Sequence, residues 1–223
     1  MLNRIILAAG VMAAAAVAAP LAAQTGAGPQ PVIQEGTSLH FDALGHRITM
    51  PFPDWLEGAE LLSPDVVSLV EANYFGDPAQ AFVEFFPKGE SVNDFTTTYS
   101  ARMTIQPGRS LQDYRQATIV GYSSTCKPEA TGAFLFGEET PDFFPALAFI
   151  CGAYLDNIPG LKGMGEVMVS VFRKTEQGVA VIYQEWRGPA FNPYEPAGWP
   201  ISPELLETRA NQLQADAKFF AAE

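Results

Sequence analysis

Between residues 82 and 86 the chain reads Phe-Val-Glu-Phe-Phe, an apolar run interrupted once, at Glu84. Aromatic and β-branched residues favour strands, and the lack of strict alternation predicts a central strand buried on both faces. Pro87 and Gly89 end it. Ser91 with Asp94 three residues on has the form of a capping box, with the acid suited to the positive end of a helix. Val92, Phe95, Tyr99 and Met103 recur at spacings of three and four, which predicts a short helix from Val92. The poor helix formers Thr96, Thr97 and Thr98 predict that it gives way to a strand near Tyr99.

The remaining pattern places elements on either side. Ser38–Asp42 and Arg47–Phe52 flank Ala43-Leu44-Gly45 as an opening hairpin, ended by Pro51-Phe52-Pro53. Residues 65–75 predict a strand region paired with the central strand through Gly76-Asp77-Pro78. Ser110, with Asp113 three residues on, starts a helix whose inner face holds Leu111, Tyr114 and Thr118. Residues 133–136 and 146–154 read as strands around an acidic loop, 137–145, that holds Glu138, Glu139 and Asp142 beside Phe143 and Phe144. Val167, Val169 and Val171 alternate with Met168, Ser170 and Phe172, so residues 165–174 and 179–186 form a hairpin turning at Glu176-Gln177-Gly178. Ser202-Pro203 opens a last helix, with Leu206, Ala210, Leu213, Ala217 and Phe220 on its packed face. The predicted fold is therefore α+β, a mostly antiparallel sheet covered by helices.

The N-terminus adds a compartment. Met1–Arg4 is a short positive segment, residues 5–19 are apolar and alanine-rich, and Leu21-Ala22-Ala23 offers a cleavage site after Ala23. The apolar run of about 15 residues is shorter than the roughly 20 a spanning helix needs, so a cleaved signal peptide is preferred to an anchor, and no stable membrane span is expected after cleavage. No cysteine near the cut marks a lipoprotein. The polar, Gly- and Pro-containing stretch that follows reads as a flexible leader over residues 24–37, and residues 38–223 as a single domain. The expected location is the periplasm or the medium outside a bacterial cell.

Charge narrows the partners. Without residues 1–23 the chain keeps 12 basic against 25 acidic residues over 200 positions. Such a balance disfavours nucleic acid and anionic membranes, both of which would repel the protein. The two cysteines, Cys126 and Cys151, are an even pair in an exported chain and predict a disulfide with one possible connectivity. A zinc site made from them with His40 and His46 matches no zinc spacing, and no metal or cofactor is expected.

The chemistry-bearing patterns are sparse. Ser124-Thr125-Cys126-Lys127 has Ser-x-x-Lys form but falls in a polar turn beside the cysteine, and its companion motifs are missing. Gly121-Tyr122-Ser123 lacks the second glycine of a nucleophile elbow. Gly160, Gly163 and Gly165 are not followed by a helix, which removes a phosphate-binding reading. Glu84, Glu90 and Asp94 cluster around the central turn and are the candidate catalytic carboxylates; a buried Glu84 would have a raised pKa and act as a general acid. Against this, Glu84 in an ion pair and Asp94 as a cap account for the same residues. Phe191, Tyr194 and Trp199, in the proline-rich stretch 188–201, are candidate binding residues, although such a stretch more often straps a chain across its own core.

Pro-Lys-Gly-Glu-Ser-Val-Asn-Asp-Phe at 87–95, the cysteine pair, and Gly165-Glu166-Val167 leading to Tyr183-Gln184-Glu185-Trp186-Arg187 resemble a family of exported bacterial proteins without assigned activity. Phe95 stands where that family usually has Trp. The run from His46 into Pro51-Phe52-Pro53-Asp54-Trp55 also resembles the start of PsbP-like domains, which implies an α-β-α sandwich and a non-enzymatic binding or assembly role. The expectation is a binding module for an unidentified protein or small molecule, acting through a groove beside the central helix or through Phe191–Trp199. A small periplasmic hydrolase using Glu84, Glu90 and Asp94 is the alternative.

Overall fold

A computed structural model describes residues 32–56, 65–140 and 144–222. The predicted signal peptide and its cut lie outside them, as do Asp142 and Phe143 of the acidic loop. Among the described residues there are eleven strands in two antiparallel sheets and two α-helices. The seven-stranded sheet has β4 (Val70–Gly76), β5 (Gln80–Pro87), β6 (Thr97–Ile105), β10 (Gly178–Pro189), β9 (Met164–Lys174), β8 (Leu147–Cys151) and β7 (Thr131–Leu135) in that spatial order. The smaller sheet orders β1 (Val32–Glu35), β2 (Ser38–Ala43), β3 (His46–Pro51) and β11 (Lys218–Ala221). Helix α1 is Leu111–Ser123 and α2 is Pro203–Asp216.

This corrects the expected α+β fold. The large sheet is antiparallel, but one of its faces is covered by a second sheet together with α2, and its other face by α1 and the loop after β8, so among the described residues there is neither a helix-covered sheet nor a PsbP-like α-β-α sandwich. Two local readings account for the error. The helix expected from Val92 is absent: Ser91 and Asp94 exchange both backbone hydrogen bonds at 3.0 Å, Val92 is exposed, and the chain re-enters the sheet at Thr97. Tyr99, Ala101 and Met103 then alternate with Ser100, Arg102 and Thr104 at strand period. At the C-terminus α2 stops at Asp216 because Ala217 is extended, and the chain becomes β11, burying Phe219 in place of the expected Phe220. Val32–Glu35, in the stretch expected as leader, pairs with β2.

Where strand signals were strongest the elements are as expected. The hairpin β2–β3 turns at Leu44 and Gly45, both at positive φ, which explains the glycine. Strands β9 and β10 pair from Lys174–Val179 to Met164–Pro189. Ser110 and Ser202 accept the N–H groups of Asp113 and Leu205 and so cap α1 and α2.

The main core lies between the sheets. Phe41, Ile48 and Met50 from the smaller sheet meet Val83, Tyr99, Val169 and Ile182 from the larger, with Leu206, Ala210 and Leu213 of α2 closing one side. Arg209 of α2, only 2% exposed, stacks on Tyr99 at 4.4 Å and donates to the Phe52 carbonyl and to Gln212. The carboxylate of Asp54 accepts from Gln184 and from the Trp186 indole, which fastens the Pro-Phe-Pro-Asp-Trp segment to β10. A second core on the opposite face places Tyr114 of α1 over Met168, Phe172 and Val179.

Cys126 and Cys151 are bonded, tying the exit of α1 to β8. At a sequence separation of 25, chain entropy gives about 3.5 kcal/mol of stabilisation. Replacing both by Ala should lower the free energy of unfolding in urea by about 3 kcal/mol and raise the m-value, because the freed unfolded chain exposes more surface. A loss below about 1 kcal/mol would show that the bridge does not restrain the unfolded chain as argued. Gly152, next to the bridge, has no room for a side chain: a Cβ would sit 2.5 Å from the Phe191 carbonyl oxygen. Gly152→Ala should therefore cost about 1–3 kcal/mol in the same assay.

Candidate functional site

The side chains of the large sheet that face α1 form rows set by register. Tyr183 lies opposite Ser100 and Ser170, Glu185 opposite Thr98 and Met168, and Arg187 opposite Glu166. Strand alternation puts Val181, Tyr183, Glu185 and Arg187 on this face and sends Ile182, Gln184 and Trp186 into the main core. Helix α1 spans the face and leaves beside it a cavity of about 610 Å³. Its walls are Tyr114, Ala117, Thr118, Gly121 and Tyr122 of the helix and Arg109 before it, with Arg102 and Thr104 of β6, Tyr154 and Leu161 of the loop after β8, Glu166 of β9, and Val181, Tyr183, Glu185 and Arg187 of β10.

The charged end of the cavity is unusual. Glu166 and Glu185 are 4% and 6% exposed. Tyr154 donates its hydroxyl to Glu166 at 2.6 Å, and Arg187 donates to the same carboxylate oxygen at 3.0 Å. The Arg187 guanidinium is stacked at 3.6 Å on the ring of Phe95, which in turn packs on Phe86. Phe95 thus forms the platform for this arginine. Glu185 has no ion-pair contact among the described residues; Tyr122 of α1 reaches it, and Tyr122 packs edge-on against Tyr183.

Two buried carboxyls therefore share one guanidinium. Burial raises the pKa of both, and for Glu185 the nearby charge of Glu166 adds to the effect, so Glu185 lies well above the usual carboxylate range. Tyr154 and Tyr183 are pushed up by burial and by Glu166 and Glu185 respectively, which keeps their hydroxyls as donors. At the other end of the cavity Arg109 lies over the Tyr114 ring at 4.9 Å, and the buried Tyr114 hydroxyl has no hydrogen-bond partner. An orphaned buried donor is costly, and a cavity wall is where a ligand satisfies one.

The acids proposed from sequence separate in space. Glu84 is half-buried on the same sheet face, opposite Asn73 and Ser100, and burial raises its pKa, with Asn73 and Arg102 opposing. Glu90 instead closes the turn by accepting the backbone N–H and hydroxyl of Thr96, both at 2.7 Å, and the Thr96 carbonyl takes the Arg187 N–H. Asp94 closes the same turn through its backbone. Neither Glu90 nor Asp94 lines the cavity. Of the aromatic candidates, Phe191 turns towards Gly152 and Gly165, Trp199 is half-buried and stacks on Phe134, and Tyr194 is 75% exposed; none of the three lines the cavity. His40 sits between Glu35 and Thr49, and the buried His46 between the Leu44 carbonyl and Thr175.

Sequence reasoning missed Glu166 and Glu185 as site residues, although both stand in the segments that carried the family resemblance. The available signal was a strand in which polar residues persist on both alternating faces, Tyr183, Glu185 and Arg187 on one and Gln184 on the other.

No protein-family model matches the chain, and none of the curated proteins matches it. Among solved structures it is similar to DynU16, from the dynemicin biosynthetic locus, at 12% identity over 82% of this chain and 81% of that one, with a TM-score of 0.14. A likeness of that degree supports no statement about fold or function.

The raised pKa of Glu185 has a measurable consequence. A carboxyl whose folded pKa is raised stabilises the fold in full below its unfolded value of about 4.5, and that contribution is lost as pH rises towards the folded value. Glu185→Gln keeps the shape and removes the titration, and it also relieves the pressure on Glu166. Urea unfolding at pH 5, 7 and 9 should show the variant gaining on the native protein as pH rises. A difference that stays constant with pH would mean that Glu185 is not held protonated.

Proposed function

We propose that this protein is exported to the periplasm and there binds a small polar organic molecule in the cavity beneath α1, holding it without covalent chemistry. The observation that carries this reading is the cavity itself: an open space of about 610 Å³ walled by tyrosines, with two buried carboxyls sharing one guanidinium and an unsatisfied tyrosine hydroxyl in its lining. Their desolvation is offset when a ligand supplies the missing donors and acceptors. Export is supported by the alanine-rich leader in the sequence and by the Cys126–Cys151 disulfide, which is at home in an oxidising compartment. Among the described residues no helix is long and apolar enough to cross a membrane.

Helix α1 offers a clean test. Gly121 lines the cavity, and a Cβ there would meet nothing within 4 Å. Gly121→Leu should therefore raise helix stability by roughly 0.5–1 kcal/mol while filling the space a ligand would take. Protein isolated from periplasm should carry a small molecule detectable by native mass spectrometry, and the Gly121→Leu protein, equally well folded, should lack it. Equal retention by both proteins would place the ligand elsewhere, and no retained molecule in the native protein would count against a tight binder.

A further inference from the structure

The cavity has two ends of opposite character, and the sheet register fixes how far apart they are. Val181 pairs with Arg102, and Glu185 pairs with Thr98, so Arg102 stands four residues along β10 from the level of Glu185. At the rise of an antiparallel strand that is roughly 13 Å between backbone levels. Glu166, Arg187 and Tyr154 cluster at the acid level. Thr104, one step of alternation beyond Arg102 on β6, lies at the other, with Arg109 just before α1.

At the acid end the guanidinium of Arg187 is committed. It donates to Glu166 and is stacked on Phe95, which leaves Glu185 without an ion-pair contact among the described residues. At the basic end Arg102 lies over Phe82 at 5.1 Å and Arg109 over Tyr114 at 4.9 Å. Arg109 donates to the side chain of Gln106, and neither arginine makes an ion-pair contact with a carboxylate among the described residues, although Glu84 faces Arg102 at longer range. The unpartnered Tyr114 hydroxyl, on a residue only 6% exposed, is a third donor on that side. An acceptor-rich end and a donor-rich end are thus separated along one cavity, with Tyr122, Tyr183 and Val181 between them.

We infer that the ligand is a zwitterion, with a cationic group against Glu185 and a carboxylate or similar anion against Arg102, Arg109 and the Tyr114 hydroxyl. A cation alone would engage only the acid end of the cavity, and an anion alone only the basic end. A molecule with both, joined by a short flexible chain that packs on the tyrosine rings, satisfies both ends together. The inference rests on the reading of this cavity as a ligand site and gives it a chemical class.

Three probes of equal chain length separate the charges: ε-aminohexanoate, hexylamine and hexanoate, with hexanamide as the uncharged control. Binding to the full-length exported protein is followed by the tyrosine ring signals in NMR and by titration calorimetry. ε-Aminohexanoate should bind about tenfold more tightly than either singly charged probe, as expected for one added charge-assisted contact. Glu185→Gln should bring its affinity to that of hexanoate, and Arg102→Gln with Arg109→Gln to that of hexylamine. Equal binding of hexylamine and the zwitterion would remove the basic end from the site, and equal binding of hexanoate would remove the acid end; either overturns the inference. Binding of hexanamide as tight as the zwitterion, lost in Gly121→Leu, would overturn the charge pairing while leaving the cavity as a ligand site. No response of the cavity tyrosines to any of the four would overturn both.

Discussion

One guanidinium between two buried carboxyls is the interaction on which this structure turns. Arg187 can neutralise Glu166, to which it is bonded, but not Glu185 as well, and burial in a protein interior does not tolerate a free carboxylate. The fold meets the excess with a raised pKa at Glu185 and a cavity beside it. A stability-optimised sheet would replace these acids with packed apolar side chains, which in such positions is neutral or favourable. Their presence is a local conflict of the kind that concentrates where a protein binds something.

Strand β10 ties this site to the rest of the molecule. Its outward-inward alternation serves two different cores. Tyr183, Glu185 and Arg187 build the cavity under α1, while Gln184 and Trp186 hold Asp54 and thereby the segment that follows β3. The neighbouring turn contributes from a third direction, because Glu90 holds Thr96, and Thr96 and Phe95 position Arg187 through a backbone hydrogen bond and a stacked ring. A change in the pairing of β10 by one residue would exchange its two faces and dismantle both arrangements. The long, fully paired register with β9 and β6 on its two sides prevents that slip.

How much of this was legible in the sequence depends on whether the signal was local. The β2–β3 turn at Leu44-Gly45, the β9–β10 hairpin, the serine caps of α1 and α2, and the pairing of two cysteines each rest on neighbouring residues or on counting, and each is present. The helix expected from Val92 failed because a spacing of four residues satisfies both helical and strand periods. Tyr99 and Met103 share a face in either structure, and sheet pairing with β5 and β10 decided between them. The second sheet was hidden for a related reason: β1 and β11 are four residues each and gain their stability from partners far away in the chain. Without them the strands of the hairpin β2–β3 looked like the margin of one sheet rather than the centre of another.

The site residues were hidden by the same non-locality. Carboxylates close in sequence, Glu84, Glu90 and Asp94, attracted attention because proximity along the chain is visible. Glu166 and Glu185 become neighbours only through a register in which Arg187 faces Glu166, a pairing that depends on the hairpin turn at residues 175–178 as well as on residue types. Residue type nevertheless carried a usable hint. In a strand paired on both sides, every polar side chain must find a partner or a cavity, and β10 places Gln184, Glu185 and Arg187 within four positions, with Trp186 among them. Gln184 found Asp54 and Arg187 found Glu166, while Glu185 found the Tyr122 hydroxyl but no basic partner among the described residues.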